Sequence, residues 1–392
     1  MISKLVSGLN PSATVEIQET LAQLTAKGVD VVRLNAGEPD MPTPAHIVDA
    51  GINALREGKT RYTPAAGILP LREAIAEKLE RDNGLHYESS GIVVTTGAKQ
   101  ALVNALLAVI DPGDEVIILT PAWVSYPDMV KIAGGVPVFV PTGPGYQPDI
   151  RAIERAITPK TKLILINSPN NPTGAVYTEE KLHALADLIA ERKLWVLSDE
   201  IYEKLIYKGK THTSVVSLRP ELAERALIVN GFSKAFAMTG WRAGYLAAPK
   251  PIAKAATILA GHMTSNVTTF VQWACLAALG GGDTCIEAMR DVFAARQTVI
   301  EGLLNELPGF TAGPVDGAFY MMPDVTGVFG RTVAGVTIES SAQLAHVMLE
   351  KAHVAVIPGE AFFSPGTLRF SYCVSEADIR EGISRIGQLL GG

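Results

Sequence analysis

GIVVTTGAKQALVNALLAVI, residues 91–110, changes its period halfway along. β-branched residues run to Thr95, Gly97 interrupts them, and alanines and leucines at helical spacing follow from about Ala98. A strand, a glycine turn and a helix make the repeating unit of a parallel α/β sheet. Related strands follow: DEVIILT (114–120, with PAW after it), KLILINSPNNPTG (162–174), WVLSDEIY (195–202) and ALIVNGFSK (226–234). Each carries its polar and unusual residues at its C-terminal end. Open α/β sheets bind ligands beyond the carboxyl ends of their strands, so Gly97, Trp123, Asn171, Asp199 and Lys234 are expected to converge on one crevice.

Working outward, the glycines of LGGGDT (279–284) mark a boundary. Beyond it come a helix pattern, DVFAARQTVIEGLLNEL (291–307), and short strands around GAFYMMPD (317–324), HVAVIPG (353–359) and TLRFSYC (367–373). The opening helix TVEIQETLAQLTAKG (14–28) and the loop NAGEPDMPTP (35–44) are expected to pack against this α+β region. The predicted division is an N-terminal arm with part of the small domain (1–45), a large domain with a mostly parallel sheet (46–283), and a C-terminal small domain (284–392). The apolar stripe of KLHALADLIAERKL (181–194) has helical spacing and reads as a packing face, and the GxG of TGPGYQPD (142–149) as a surface loop.

At 392 residues, 47% hydrophobic and 19% charged, the chain has the length for about two domains and the composition of an ordinary globular protein. Lys+Arg at 34 against Asp+Glu at 40 leaves −6, too mild and too dispersed for a nucleic-acid or membrane-surface partner. The opening MISKLVSGLNPSATVE lacks a secretory pattern and no apolar run reaches membrane-spanning length, so a cytoplasmic protein is expected. Cys275, Cys285 and Cys373 lack CxxC spacing and suit a reducing compartment as buried filler. The seven histidines show no paired ligand spacing, so no metal site is expected.

The chemistry centres on SKAFAMTGWRAG (233–244). A lysine desolvated after a strand is a nucleophilic amine suited to a Schiff base with an aldehyde. Arg242 offers a cationic fork to a dianion and Ser233 a hydroxyl, while Gly97, Ala98 and Lys99 would aim helix N-terminal N–H groups at the same phosphate. Asp199 would keep a pyridine nitrogen protonated. At an effective dielectric near 20 and about 3 Å that pairing is worth roughly 5 kcal/mol, or on the order of four pKa units. Singly, each residue has a duller reading: a surface lysine, an N-cap by Asp199 or Ser198 for a helix starting at Glu200, a core Trp123, a strand-edge Arg369. For Lys99, a solvated helix start and substrate recognition both stand.

In order along the chain, PSATV (11–15), NAGEPD (35–40), YTPAAG (62–67), NPTG (171–174), SDEIY (198–202), SKAFAMTGWRAGY (233–245), GAFY (317–320) and LRFSY (368–372) resemble the fold-type I, class I pyridoxal-phosphate aminotransferases. The bacterial aspartate/aromatic branch is the nearest likeness. The resemblance implies that Lys234 binds pyridoxal 5'-phosphate as a Schiff base and then shuttles a proton. Asp199 would pair with the pyridine N–H, Tyr202 and Asn171 with the phenolic oxygen, and Trp123 would stack on the ring. Ser233, Arg242 and the backbone from Gly97 to Lys99 would hold the phosphate, with Tyr62 reaching it from the partner subunit of a homodimer. Arg369, helped by Asn171 and the Gly37 backbone, would clamp the substrate α-carboxylate.

The implied reaction is ping-pong transfer of an amino group from an L-amino acid, aspartate or an aromatic one, to 2-oxoglutarate. A lyase breaking a C–S bond uses the same apparatus and is the alternative. A non-catalytic regulator half fits poorly, because Lys234, Asp199 and Arg369 are intact and no residues are left over for a DNA-binding segment. GHMTSNVTTFVQWA (261–274) lacks the arginine that animal-type enzymes use for acidic side chains; the resemblance to the bacterial branch implies that a lysine in the motif matching GAKQA and small polar residues near PSAT take part instead, which makes Lys99, Ser12 and Thr14 the candidates. Gly231 stands where some relatives carry a phosphate-binding serine.

Overall fold

The computed structural model describes residues 2–9, 20–24 and 26–391. After a short strand β1 (Val32–Arg33), seven strands form the central sheet: β2 (Ile92–Thr95), β3 (Glu115–Thr120), β4 (Val136–Pro141), β5 (Thr161–Asn167), β6 (Trp195–Asp199), β7 (Ala226–Gly231) and β8 (Gly244–Ala247). Their order is β2-β8-β7-β6-β5-β3-β4. β3 to β7 pair in parallel, whereas β8 runs antiparallel to both β2 and β7. The sequence reading missed β8, a four-residue strand that opens on a glycine. Gly244 is required there because a Cβ would stand 2.5 Å from the Ala98 nitrogen. The strand that carries it therefore lacks a β-branched start.

Both faces of the sheet are covered, which explains the near-continuous apolar runs. Side chains alternate between two cores: Ile92, Val94, Ile117 and Leu119 enter one, Val93, Val116 and Ile118 the other. The expected packing helix spans Glu179–Arg192 and buries Leu182, Leu185, Leu188 and Ile189 in the first core. Each such leucine or isoleucine stabilises the fold by about 1.5–3 kcal/mol. The helix after the glycine turn, Gly97–Val109, packs into the second core.

A third core brings both ends of the chain together. It joins Val32 and Leu34 to Phe293, Phe319, Phe370 and Tyr372. Here β9 (Tyr320–Met321) and β13 (Ile357–Pro358) flank β14 (Leu368–Ser371), β10 (Thr332–Val333) and β11 (Val336–Thr337) form a short antiparallel pair, and β1 pairs in parallel with β12 (Val354–Ala355). The long helix covers Thr284–Glu306, starting earlier than its apolar pattern suggested. Among the described residues, no helix is long and apolar enough to cross a membrane.

Candidate active site

The C-terminal ends of β3, β5, β6 and β7 open on a cavity of about 570 Å³, whose walls include Gly37, Ala98, Lys99, Trp123, Asn171, Asp199, Tyr202, Ser233, Lys234, Arg242 and Arg369. Most of the residues singled out in the sequence therefore share one space. Gly97 acts from behind: at φ +76° it begins its helix, and a Cβ would meet the Arg242 Nη2 at 2.5 Å. Arg242 is held over that turn by an Nη1 donation to the Thr239 carbonyl at 2.9 Å. Tyr62 lies outside the cavity and is 89% exposed. Ser12 and Thr14 lie outside the described residues.

Lys234 follows β7 and donates to the Gly37 carbonyl at 2.6 Å. Its Nζ opens onto the cavity but has protein on most sides, including the rings of Tyr202 and Phe319 at 5.9 and 5.6 Å. Desolvation lowers its pKa to about 8, although Cys373 and Glu38 oppose the shift. Near neutral pH the free amine is a minority form, about a tenth, yet far more abundant than for an ordinary lysine.

Asp199 ends β6 and is 3% exposed. No helix starts at Glu200, so the capping reading gives way to a turn. One carboxylate oxygen accepts from the Ile201 amide at 3.2 Å, the other from the Tyr126 hydroxyl at 2.7 Å. Burial raises its pKa to about 6, against the lowering effect of those two bonds. Tyr126 carries the half-buried Trp123 edge-on at 5.3 Å. Asn167, at the end of β5, donates to the Asp199 carbonyl at 2.9 Å and accepts from the Asn171 amide at 2.8 Å. It ties two predicted site residues together.

Arg369 on β14 is 5% exposed and has no carboxylate partner among the described residues. Its Nη1 donates to Asn171 Oδ1 at 3.0 Å and its Nη2 to the Asn35 carbonyl at 3.1 Å, while the buried Nε has no partner. The guanidinium lies 4.4 Å from the Tyr320 ring, and the Tyr320 and Tyr202 hydroxyls are 3.2 Å apart. Burial pushes Tyr320 up to about 12 and Tyr202 well above its ordinary value. Both phenols stay protonated and can donate.

Lys99 is exposed on the first turn of its helix, with its ammonium 3.4 Å from Ser125 Oγ and 4.8 Å from the Trp123 ring. Burial of part of its stem, then the neighbouring Arg242, lower its pKa. At Gly231 a Cβ would lie 2.9 Å from the Gly244 Cα and 3.0 Å from the Ala243 carbonyl, so the sheet leaves no room for a serine. Sequence reasoning missed Tyr126, Asn167 and Tyr320 as site residues, although Asn167 and Tyr320 lay inside quoted motifs.

A nucleophilic lysine, a buried carboxylate and an unpaired buried arginine at one cavity define an enzyme of amino-group chemistry. The chain belongs to the family of class I and II aminotransferases, whose model matches residues 29–386. It is an aminotransferase with the fold-type I architecture. It is 44% identical over 391 residues to the aspartate aminotransferase of Geobacillus stearothermophilus, covering 99% of this chain and 98% of the relative. The probable aspartate/prephenate aminotransferase of Aquifex aeolicus is 44% identical over 393 residues, with coverage of 99% and 98%. Among solved structures, the Rhizobium meliloti aspartate aminotransferase matches with a TM-score of 0.97 at 38% identity, covering 100% of this chain and 99% of that one. The Thermus thermophilus aspartate aminotransferase with maleate matches at 0.93 and 44% identity, with full coverage of both chains.

Proposed function

We propose that this protein moves the amino group of aspartate to 2-oxoglutarate in a ping-pong reaction with pyridoxal 5'-phosphate, as a cytoplasmic homodimer. The observation that carries the reading is Arg369: a buried guanidinium held only by neutral groups leaves a charge for a carboxylate ligand to complete. The curated relatives' names support aspartate as the amino donor.

The residues present fit the cofactor. Asp199 suits a ring N–H, because a cation there would offset the burial that raises the carboxyl to about 6. Arg242, Ser233 and the helix start at Gly97 suit a phosphate, and Trp123 offers an aromatic wall. When bound, pyridoxal phosphate supplies an aldehyde that accepts the amino group and a ring that delocalises the electron pair left at the substrate Cα.

The chain's own residues do the rest. Lys234, with its pKa lowered to about 8, would hold the cofactor through its amine and would serve as the base that moves a proton at the substrate Cα. Arg369 and Asn171 orient the substrate by its α-carboxylate. The Tyr202 phenol, kept protonated by burial, would donate to the cofactor's phenolic oxygen. The exposed Tyr62 completes the partner's phosphate site in this reading. The same reading divides the chain at 45/46 and 283/284; the core shared by Val32, Leu34 and the C-terminal strands supports it.

The test is a visible spectrum of the purified protein, repeated after aspartate and, separately, phenylalanine, without any oxo acid. Conversion to the aminated cofactor, reversed by 2-oxoglutarate, is the expected result. Release of ammonia and pyruvate would instead make the enzyme a lyase.

A further inference from the structure

The cavity wall carries five cationic side chains, Arg33, Lys99, Lys234, Arg242 and Arg369, against two carboxylates, Glu38 and Asp199. Four of the five are accounted for. Lys234 donates to Gly37, Arg369 to Asn171 and Asn35, and Arg242 to Thr239. Lys99 approaches Ser125 and the Trp123 ring, and its ammonium is close enough to Arg242 to feel that charge. It therefore sits toward the phosphate end of the cavity.

Arg33 differs. It is exposed at the end of β1, lines the cavity, and has no hydrogen bond or ion pair among the described residues. Asn35, two residues on, gives its carbonyl to Arg369, so the two backbone positions are at most about 7 Å apart. The pairing of β1 with β12 fixes the base of the Arg33 side chain in the wall, while its planar fork has no partner among the described residues. A free guanidinium near the α-carboxylate clamp is placed to receive a second carboxylate with two parallel hydrogen bonds.

We propose that Arg33 is a specificity-determining residue, taking the distal carboxylate of a dicarboxylic amino or oxo acid whose α-carboxylate lies on Arg369. The inference rests on the aminotransferase reading above and assigns to the chain's own small-domain strand the acid selection that the sequence left to Lys99, Ser12 and Thr14. Uncharged side chains gain nothing from Arg33.

The experiment compares wild type, Arg33→Ala and Arg33→Lys for aspartate, 2-oxoglutarate, alanine and phenylalanine, separating kcat from KM. Arg33→Ala should lower kcat/KM for the two dicarboxylates by roughly tenfold to a hundredfold, mainly through KM. Alanine and phenylalanine should stay within about twofold, and Arg33→Lys should recover part of the loss. Because Arg33 is exposed and has no partner among the described residues, Tm should not move. An equal fall for all four substrates, or no change for any, overturns the role of Arg33 alone. A wild-type enzyme that aminates its cofactor with no amino acid overturns the underlying reading as well.

Discussion

Two groups of buried charges flank the end of β6, and they are built on opposite plans. On the cavity side, Asp199 and Arg369 are held by a phenol, amides and carbonyls, with no countercharge bonded to either among the described residues. Behind the strand, Lys78 bonds to Glu203 and to Asn83 Oδ1, and Asn83 returns a bond to Glu203 at 2.7 Å. Glu200 accepts from Ser198 and Ser214 at 2.8 and 2.6 Å and faces His212 Nε2 at 3.1 Å, an ion pair without hydrogen-bond alignment. Glu200, Glu203 and His212 bring their ligand atoms within 4.8 Å of one another, but Lys78 already occupies Glu203. The second group balances its own charge and needs no ligand. The first is complete only when a ligand supplies the missing charges.

The largest effect separates the two plans outright. Lys234→Ala should reduce turnover by roughly 10⁴-fold or more, since it removes both the attached amine and the proton carrier, and should abolish the visible band of the bound cofactor. Full activity in this variant, measured by coupled assay, would end the assignment of the cavity. Next comes Glu203→Ala, which strands Lys78 in the interior. It should lower the unfolding free energy by roughly 3–5 kcal/mol in denaturant titration and leave kcat/KM near wild type where the protein is folded. Arg369→Ala should do the reverse: kcat/KM for every amino acid falls by about 1.5–3 kcal/mol of transition-state stabilisation, while stability holds or rises. Should Arg369→Ala unfold the protein and leave KM alone, the two regions would not differ in the way described.

The sequence made much of the scaffold legible because β2, β3, β5, β6 and β7 are buried on both faces, so their apolar runs are nearly unbroken and end near Gly, Asn, Asp or Pro. β4, a largely solvent-exposed edge strand with prolines, and β8, opening on Gly244, give no such signal. In the site, Asp199, Lys234 and Asn171 stood out because polar residues at the ends of apolar strands are unusual. Tyr126 and Tyr320 did not, because their roles arise only on closing contacts across 73 residues to Asp199 and 118 to Tyr202. Arg33, one charge after two valines, reads as an ordinary solvent-facing position until β1 places it in the cavity wall.

The smallest effect is a difference between two titrations. In the protein alone Asp199 has its pKa raised to about 6, so between its ordinary value of 3.8 and about 6 the folded protein holds a proton the unfolded chain has lost. Stability of the cofactor-free protein therefore falls as pH rises through that window, and a cationic ring N–H bound to Asp199 removes the penalty. The gain in Tm on adding pyridoxal phosphate should accordingly grow from pH 5 to pH 7, by roughly 1 °C for each kcal/mol recovered, and Asp199→Asn should flatten the rise. His212 behaves differently. Burial pushes it down, but Glu200 and Glu203 more than offset this and hold its pKa above the ordinary value. Its stabilisation is complete below about 6.5 and is lost as pH climbs through the raised folded value. Because its partners are internal, that loss should be the same with and without cofactor and should cancel from the gain in Tm. His212→Gln should remove it from both curves equally; a change in the gain itself would mean that the charges behind β6 reach Asp199, and that the two groups are one.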